Sequence, residues 1–373
     1  MSEIFENTTI NGLTLKNRFV RSATFEAMAD NNGKCKPELI NLLAELARGD
    51  VGLIITGFTY VNLIGRSRLT QTGVHTDELI PELTKLTTAV HQEGGKIVMQ
   101  IMHAGCNSFT VPEGENALGP SPTKMPQGCE CREMTKTEIS KTVTDFVKAA
   151  VRAKKSGFDG VQLHGAHGYL ISQFLSPFYN KRTDDYGGRL ENRARIVIEC
   201  LRGIRSAVGN GYPIMIKVNS DDYLDGGFNK EDMVQLAGML ETEGIDAIEL
   251  SGGTHLSPEQ YLFSRKTGIV SEEKELYFAE AAGLYKQKIK VPLMLVGGIR
   301  SYSVAERVIH EGLADYVSLC RPLIREPHLI RRWQSGDTQR AACISCNQCF
   351  SPVRSGEGVY CVAEAKLRRK QAE

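Results

Sequence analysis

The sequence has little surplus charge, no long apolar run and no low-complexity segment. Its 45 basic and 44 acidic side chains give the 373-residue chain a net charge of +1, so charge gives no reason to expect binding to nucleic acid or an anionic membrane. No stretch approaches eighteen uncharged apolar residues, which argues against a membrane span. The start, MSEIFENTTI, lacks the basic and apolar regions of a secretory signal. We therefore predict a cytoplasmic protein without nucleic-acid or membrane partners.

No strand-like run is followed by the G-x-G-x-x-G turn of a doubly wound, dinucleotide-binding sheet. Instead, eight short β-rich apolar runs alternate with longer segments that have apolar residues at three- and four-residue spacing. The predicted strands are Phe19–Thr24, Val51–Gly57, Lys96–His103, Gly160–His164, Ile214–Asn219, Ala247–Ser251, Leu293–Gly297 and Tyr316–Arg321. This order predicts an α/β fold of the (β/α)8 TIM-barrel type, with a doubly wound open sheet as the alternative. The stretch GLTLKNR predicts an N-terminal hairpin that caps the lower mouth.

Polar residues at the ends of predicted strands indicate a ligand site. Gln100, His164 and Lys217 each occupy such a position, and several polar groups converging on one mouth of a barrel favour ligand binding over structural roles. Two loop-like insertions, residues 103–135 and 176–192, also follow strand ends, on the face where barrel enzymes build their sites.

The stretch LMLVGGIRSYSVAERV predicts a phosphate site. Gly297 and Gly298 follow a strand and precede a helix that opens near residues 301–303, and Arg321 follows the last strand. Barrels commonly hold a phosphate in these loops, with backbone amides at the helix start as donors. The glycines would let the backbone approach the phosphate, and Arg321 would supply charge.

The stretch LHGAHGYL contains two histidines, His164 and His167, followed by Tyr169. A zinc site would need a third histidine or a carboxylate, and the motif supplies neither. The spacing alone does not distinguish between an active-site role for His164 and His167 and a structural role in the barrel.

Four longer stretches together resemble the old yellow enzyme family of FMN-dependent ene-reductases. They are LKNRFVRSAT, MQIMHAG, HGAHGYLISQFLSPFYNKRTDDYGGRLENRAR and VGGIRS, and the resemblance spans roughly residues 5–327. It implies a barrel that holds FMN at its carboxyl-end mouth. The FMN-binding residues that it implies are Ser22, Ala23, Thr24, Gly57, Gln100, Lys217, Gly297, Gly298, Cys320 and Arg321. Lys217 stands where an arginine is usual, which keeps the positive charge but loses the planar fork. Phe25 stands where Thr, Cys or His is frequent.

The resemblance also implies a reaction, the reduction of the C=C bond of an α,β-unsaturated carbonyl or carboxylic compound by FMN that NADH or NADPH has reduced. His164 and His167 would donate hydrogen bonds to the substrate oxygen, and Tyr169 would protonate the α-carbon. His255 either faces the substrate or belongs to the rim. The alternatives are an amine dehydrogenase or demethylase-type flavoprotein, a non-redox phosphate-binding barrel lyase or isomerase, and an electron carrier without turnover of its own.

Ten cysteines are many for a cytoplasmic chain. Most of the six scattered ones are expected to be reduced; these are Cys35, Cys106, Cys129, Cys131, Cys200 and Cys320. The other four follow the pattern Cys343-x2-Cys346-x2-Cys349-x11-Cys361, which indicates a metal site. The pattern resembles the [4Fe–4S] site of the multidomain branch of the family, the dienoyl-CoA reductases, enoate reductases and trimethylamine dehydrogenase. Structural zinc and an empty vestigial site are the alternatives.

We predict two regions, an FMN-binding barrel over residues 1–335 and a Cys-rich iron–sulfur or zinc tail over residues 336–373 that packs on it.

The multidomain relatives continue into an FAD- and nucleotide-binding half, which we expect to be missing here. With a cluster present, the expected electron partner is an external one-electron carrier such as ferredoxin or a separate flavoprotein. The substrate, the choice of NADH or NADPH and the formation of a homo-oligomer stay open.

Overall fold

The computed structural model describes residues 2–125, 130–265 and 271–372. The strands are β1 (Thr8–Ile10), β2 (Leu13–Leu15), β3 (Phe19–Arg21), β4 (Leu53–Ile55), β5 (Thr59–Tyr60), β6 (Ile97–Met102), β7 (Ala117–Gly119), β8 (Thr123–Lys124), β9 (Glu130–Glu133), β10 (Gly160–Gly165), β11 (Ile214–Asn219), β12 (Ala247–Ser251), β13 (Leu293–Leu295) and β14 (Tyr316–Leu319). The helices are α1 (Pro37–Arg48), α2 (Ile80–Gln92), α3 (Lys136–Lys155), α4 (Leu170–Leu175), α5 (Leu190–Arg193), α6 (Arg195–Val208), α7 (Lys230–Thr242), α8 (Ala279–Lys286), α9 (Tyr302–His310), α10 (Arg321–Arg325), α11 (Leu329–Gln334), α12 (Phe350–Ser355) and α13 (Val362–Ala372).

Eight parallel strands of the described ranges close into a barrel in the order β3-β4-β6-β10-β11-β12-β13-β14 and back to β3. The closure is visible at Leu163, which pairs with Ile101 on one side and Ile216 on the other. Strand β5 continues the line of β4 beside the end of β6. The TIM-barrel prediction is confirmed, and all eight predicted strands are present. The pairing of β6 with β10 excludes the open-sheet alternative.

The barrel strands are buried along their whole length, as in β6, β10 and β11. Helices such as α6 turn an apolar face inward, with Val197, Leu201 and Ile204 buried. A polar side chain on one of these strands is therefore shielded from water and needs a partner or a ligand. This is why the polar strand residues are informative about the site.

The predicted N-terminal hairpin is present and closes the lower mouth. Strands β1 and β2 pair antiparallel, with Thr8 opposite Leu15. The apolar side of the hairpin packs with Leu53 and Met215 at the amino ends of the barrel strands. The Thr8 hydroxyl lies 3.0 Å from the hydroxyl of Tyr316. With this end filled, the carboxyl-end mouth is the one that leads to the site.

The insertion at residues 103–135 was predicted to be loop-like, but it contains a small sheet in which β9 lies between β7 and β8. A disulfide between Cys106 and Cys131 ties this sheet to the turn that follows β6, so these two cysteines are not reduced as expected. Cys129, another of the six scattered cysteines, lies outside the described residues. Arg182 of the second insertion donates to the carbonyl of Met134 at 2.7 Å and so joins the two insertions.

The Cys-rich tail packs on the carboxyl end of the barrel. The amide of Ala341 donates to the carbonyl of Arg300, and the amide of Val359 donates to the carbonyl of Glu26, both at 2.8 Å. The division into two regions at residue 335 stays a prediction. Across the described ranges, no helix has both the length and the apolar character that crossing a bilayer requires.

Candidate active site

A cavity of about 1050 Å³, part of it open to solvent, lies at the carboxyl-end mouth. Eleven of the thirteen residues predicted for FMN and catalysis line it: Ser22, Ala23, Thr24, Gln100, His164, His167, Tyr169, Lys217, Gly298, Cys320 and Arg321. The other two lie behind the wall. The Gly57 amide donates to Glu26 Oε1 at 2.9 Å, and a Cβ there would overlap the Glu26 carboxylate. The Gly297 carbonyl accepts from the amide of Tyr277 at 3.2 Å.

A row of polar side chains crosses the cavity floor. Lys217 Nζ lies 2.8 Å from Ser22 Oγ and 3.0 Å from Glu249 Oε2. Gln162 donates to the same Glu249 oxygen at 3.0 Å, and Gln100 donates to Gln162 Oε1 at 2.7 Å. Gln162 and Glu249 were not predicted, although each is a polar residue in a buried strand, as Lys217 is. Together the row keeps a cation buried and paired beneath the cavity.

The polar groups of the cavity fit FMN. Gln100 Oε1 and Ser318 Oγ are buried without a hydrogen-bond partner among the described residues, so the floor has an acceptor and a hydroxyl to offer. Lys217 supplies a positive charge there, as the pyrimidine edge of a flavin requires. At the other end, Gly298 has a φ of +82° and lies with Arg321 along the same cavity. A backbone loop and a guanidinium suit a phosphate.

One part of the phosphate prediction is wrong. The amides of Arg300 and Ser301 at the start of α9 donate to Glu275 Oε2, at 2.7 and 3.1 Å. The Ser301 hydroxyl donates to Glu275 Oε1 at 2.8 Å, and Glu275 is buried. An internal carboxylate thus already caps this helix and occupies the anion position. Gly298 and Arg321, which line the cavity, remain as predicted phosphate-binding residues.

His164, His167 and Tyr169 come together above the floor. The two imidazole rings are 5.2 Å apart and nearly perpendicular, and the tyrosine ring is 4.9 Å from that of His164. His167 adopts a left-handed backbone conformation with φ +64°, and its Nε2 lies 2.7 Å from Ser251 Oγ. Such a conformation costs about 1 kcal/mol or more in a non-glycine residue, so the surrounding contacts hold this ring in place.

All three side chains are uncharged at neutral pH. Burial lowers the pKa of His164 and of His167 well below the usual value, and the charge of Lys217 lowers both further. Burial raises the pKa of Tyr169. His164 Nδ1 accepts the amide of Ala166 at 3.4 Å, which places the proton of the neutral ring on Nε2. The site therefore presents imidazole N–H donors and a protonated phenol.

Aromatic rings form the remaining walls near these groups. Phe25 stacks on Phe58 at 4.9 Å, and Phe58 lies 5.4 Å from Tyr169. Phe263 stacks on His167 at 4.9 Å. Of the three phenylalanines in these walls, only Phe25 could be identified from the sequence. His255 takes a supporting position, because its Nδ1 lies 3.0 Å from the carbonyl of His167 and it is absent from the cavity lining.

The tail contributes to both the cavity and the cysteine site. Cys349, Phe350, Val353 and Val359 line one side of the main cavity. The four predicted metal ligands, Cys343, Cys346, Cys349 and Cys361, are free thiols that line one small pocket beside Arg321. Across the described part of the chain, however, no group of three or more His, Cys, Asp or Glu side chains is placed to hold a metal ion. The metal site therefore stays a prediction.

Two barrel arginines hold the cysteine loop. Ser345 and Asn347, which flank Cys346, have φ values of +59° and +57°. Arg300 donates to Ser345 Oγ at 3.1 Å, and Arg321 donates to Asn347 Oδ1 at 2.5 Å. The loop is thus kept in a costly backbone conformation by two arginines that also line the main cavity.

Comparison with known proteins agrees with this geometry. Residues 3–340 match the family described as NADH:flavin oxidoreductase / NADH oxidase. The chain is 36% identical to the NADH oxidase of Thermoanaerobacter brockii, over 98% of this chain and 58% of that protein. It is 31% identical to the 4,4'-dithiodibutanoate disulfide reductase of Rhodococcus erythropolis, over 99% and 97%. A 2-naphthoyl-CoA reductase solved with 2-naphthoyl-CoA superposes with a TM-score of 0.87 and 31% identity, over 95% of this chain and 56% of that one.

The chain spans somewhat more than half the length of the NADH oxidase and of the 2-naphthoyl-CoA reductase, and nearly the whole length of the disulfide reductase. The family match covers the barrel and all of the predicted FMN and catalytic residues. As its motifs predicted, the chain belongs to the NADH:flavin oxidoreductase / NADH oxidase family, that of the old yellow enzymes.

Proposed function

We propose that the chain is an FMN-dependent NAD(P)H oxidoreductase that reduces the C=C bond of α,β-unsaturated carbonyl or carboxylic compounds. The observation that carries the proposal is the convergence of two neutral histidines and a protonated tyrosine on one cavity above a buried lysine. FMN bound in this cavity would supply hydride transfer between NADH or NADPH and the substrate.

The cavity residues divide into two groups for holding the cofactor. Ser22, Ala23, Thr24, Gln100 and Lys217 would hold the ring system, because they form the floor and the adjoining wall. The phosphate would be held at the opposite end by Gly298, Cys320 and Arg321. Gly57 and Gly297 act from behind this surface by shaping the backbone of the loops that carry it.

His164 and His167 bind the substrate oxygen in this proposal. Negative charge accumulates on that oxygen as the β-carbon gains a hydride, so donors that are already in place lower the barrier. Neutral imidazoles suit this role because a buried imidazolium would be costly beside Lys217. The contacts of His167 with Ser251 and of His255 with the His167 carbonyl keep the donors oriented.

Tyr169 delivers the proton to the α-carbon. Burial keeps the phenol protonated across the neutral range, and an enolate is a strong enough base to take its proton. The aromatic walls formed by Phe25, Phe58 and Phe263 favour flat conjugated substrates that lie between rings.

The test is an anaerobic titration of the purified yellow protein with NADH, NADPH and reduced ferredoxin, followed by a panel of enones and enoates. We expect a nicotinamide to bleach the flavin absorption and an enone or enoate to restore it. A protein without flavin absorption, or a reduced flavin that no member of the panel reoxidises, would contradict the proposal.

A second candidate is reduction of an organic disulfide. It is supported by the Rhodococcus disulfide reductase, which aligns with this chain over nearly the full length of both. Adding 4,4'-dithiodibutanoate to the same panel distinguishes the two, because the preferred oxidant restores the flavin absorption fastest.

We also propose a [4Fe–4S] cluster on Cys343, Cys346, Cys349 and Cys361, with structural zinc as the alternative. Four free thiols around one pocket have the donor chemistry of such a site, and Cys349 borders the main cavity too. A cluster would let an external ferredoxin or flavoprotein exchange single electrons with the cofactor. Iron and acid-labile sulfide analysis of anaerobically purified protein tests this, and stoichiometric zinc without iron would count against it.

A further inference from the structure

Two arginines near the active-site mouth have no acidic partner. Arg68 lies in the loop between β5 and α2, and Arg354 lies on α12; both side chains are exposed. Neither forms an ion pair with any residue in the described ranges. Elsewhere the chain pairs its arginines closely, as with Arg205 and Asp246 at 2.6 Å or Arg202 and Glu243 at 2.5 Å.

Arg68 lies close to the proposed proton donor but outside the cavity lining. The preceding residue, Ser67, is buried and contacts the Tyr169 side chain. The Arg68 guanidinium lies over the ring of Phe109, 4.1 Å from its centre. The positive charge of Arg68 interacts electrostatically with the side chains of Tyr169 and His255. The guanidinium therefore lies near the reacting groups without lining the flavin cavity itself.

Arg354 approaches from the tail. Phe350 and Val353, on the same short helix, line the main cavity. Gly356, at the end of that helix, packs beside Thr70, two residues after Arg68. The two elements that carry the arginines are thus in contact, and the charges of Arg68 and Arg354 act on each other.

Two guanidinium groups in mutual range repel each other unless an anion lies between them. Partial loss of water around the guanidinium, which lies over the Phe109 ring, and then the charge of Arg354 lower the pKa of Arg68, as expected for a cation without a counter-ion. Guanidinium groups bind carboxylate and phosphate oxygens with paired, charge-assisted hydrogen bonds. A bound oxyanion would convert the repulsion into attraction.

We propose that Arg68 and Arg354 form an anion subsite that binds an oxyanion of the substrate, remote from the C=C bond that is reduced. The inference rests on the proposed ene-reductase function and extends it to the substrate class, conjugated compounds that carry a carboxylate or phosphate away from the reacting carbons. The oxyanion comes either from a short carboxylic acid or from the phosphates of a coenzyme A thioester.

Matched substrate pairs test the subsite. The first pair is 6-oxohept-4-enoate, whose carboxylate is two methylene groups away from the enone, and its methyl ester; the second is crotonyl-CoA and the crotonyl thioester of N-acetylcysteamine. Each pair shares one conjugated system and differs in charge. We expect kcat/KM of the wild-type protein to favour the charged member of at least one pair by about tenfold or more, since a charge-assisted hydrogen bond contributes about 1.5–3 kcal/mol. Added salt should reduce that preference by screening.

Arg68→Gln and Arg354→Gln should each lower the charged-to-neutral ratio by about tenfold. Arg202→Gln, which removes an exposed arginine from α6 on the outside of the barrel, should leave the ratio unchanged. A loss confined to the coenzyme A pair assigns the subsite to phosphates, and a loss confined to the first pair assigns it to carboxylates. Equal ratios in the wild type and both variants for both pairs overturn the subsite.

Binding is measured separately, from the change in flavin absorbance on adding each compound to oxidised protein. If no compound is reduced, the proposed function fails, but the dissociation constants still report on the subsite. Tighter binding of the charged member that is lost in both variants supports it, and equal binding of both members overturns it.

Discussion

Lys217 keeps a positive charge inside the barrel because its neighbours compensate for the loss of water. Glu249 and Ser22 contact its ammonium group, and Gln162 donates to the same Glu249 oxygen that the lysine contacts. An arginine at this position would have five donors to satisfy, whereas a lysine has three. The pairing with Glu249 leaves part of the lysine's hydrogen-bonding capacity for a ligand above it.

Replacing Tyr169 by Phe should separate the two half-reactions. We expect the reduction of an enone by the pre-reduced protein to slow by about a hundredfold or more, the contribution of a general acid. Flavin reduction by NADH or NADPH should change little, because no proton from Tyr169 is needed there. Stopped-flow absorbance measures both, and an equal loss in the two would rule out a role as proton donor.

Replacing His164 by Ala should weaken the binding of a phenol such as 4-chlorophenol, which accepts hydrogen bonds from the histidine pair. Loss of one such bond to a charged ligand costs about 1.5–3 kcal/mol, or roughly a 10- to 100-fold rise in Kd. Flavin absorbance titration gives the Kd. His310→Ala, an exposed histidine at the end of α9, is the control, and matching constants in all three proteins would refute the assignment.

At the level of elements, Glu275 joins three parts of the molecule. It caps the start of α9 through two amides and a hydroxyl, and Arg340 of the tail donates to its Oε1 at 3.2 Å. Arg300 next to this cap donates to Ser345 in the cysteine loop. The docking of the tail and the geometry of the loop after β13 are therefore linked.

Glu275→Gln should destabilise the protein by about 2–3 kcal/mol, because an amide cannot accept at both ends and the charge opposite Arg340 is lost. Thermal unfolding should show a lower Tm, and limited trypsin digestion should cleave the tail faster. Glu273→Gln, on the exposed turn nearby but with no contact to α9 in the described ranges, should do neither. If both variants behave alike, the link between cap and tail is absent.

The strands could be predicted from the sequence and several of their connections could not. Short apolar runs separated by helix-like segments predicted all eight barrel strands, although β3, β4, β6, β13 and β14 are shorter than predicted. The sheet of β7, β8 and β9 escaped notice because strands of two to four residues carry too little periodicity. The cap on α9 was missed because its carboxylate comes from a turn some twenty-five residues earlier in the chain.

The residues of the candidate site also fall into those that could be predicted from the sequence and those that could not. Motif residues such as His164, Tyr169 and Gln100 could be assigned from a resemblance, since each occupies a fixed place on a strand or just after it. Phe58 and Phe263 could not, because their positions depend on loops whose path the sequence does not specify. Cys349 was expected as a metal ligand, and its place in the cavity wall emerges only from how the tail docks.

For the whole molecule, buried neutral histidines make stability depend on pH. Burial lowers the pKa of His103 to about 3 and that of His255 to about 4, and it lowers the pKa of His164 and His167 as well. Unfolded histidines titrate near about 6.5. The unfolded state thus binds more protons below that pH, so the free energy of unfolding decreases as the pH falls. Asp222 has the opposite effect on the free energy of unfolding. Burial raises its pKa to about 6, so the folded state binds the extra proton as the pH falls and is stabilised by it.

His103→Asn isolates one of these groups, because asparagine can still accept the Gly105 amide that His103 Nδ1 accepts at 3.0 Å. Between about pH 6.5 and pH 4.5 the wild type should lose about 2 kcal/mol more stability than the variant. Guanidinium unfolding at several pH values measures this. Parallel pH profiles for the two proteins would show that His103 is not a buried neutral group.

The tail residues that complete the cavity wall also set an order of events during biosynthesis. Cys349, Phe350, Val353 and Val359 leave the ribosome after all eight barrel strands, so the cavity is open on that side until α12 packs. Because these residues form one side of the cavity, we expect a bound flavin to be released more slowly when the tail is docked than when it has detached.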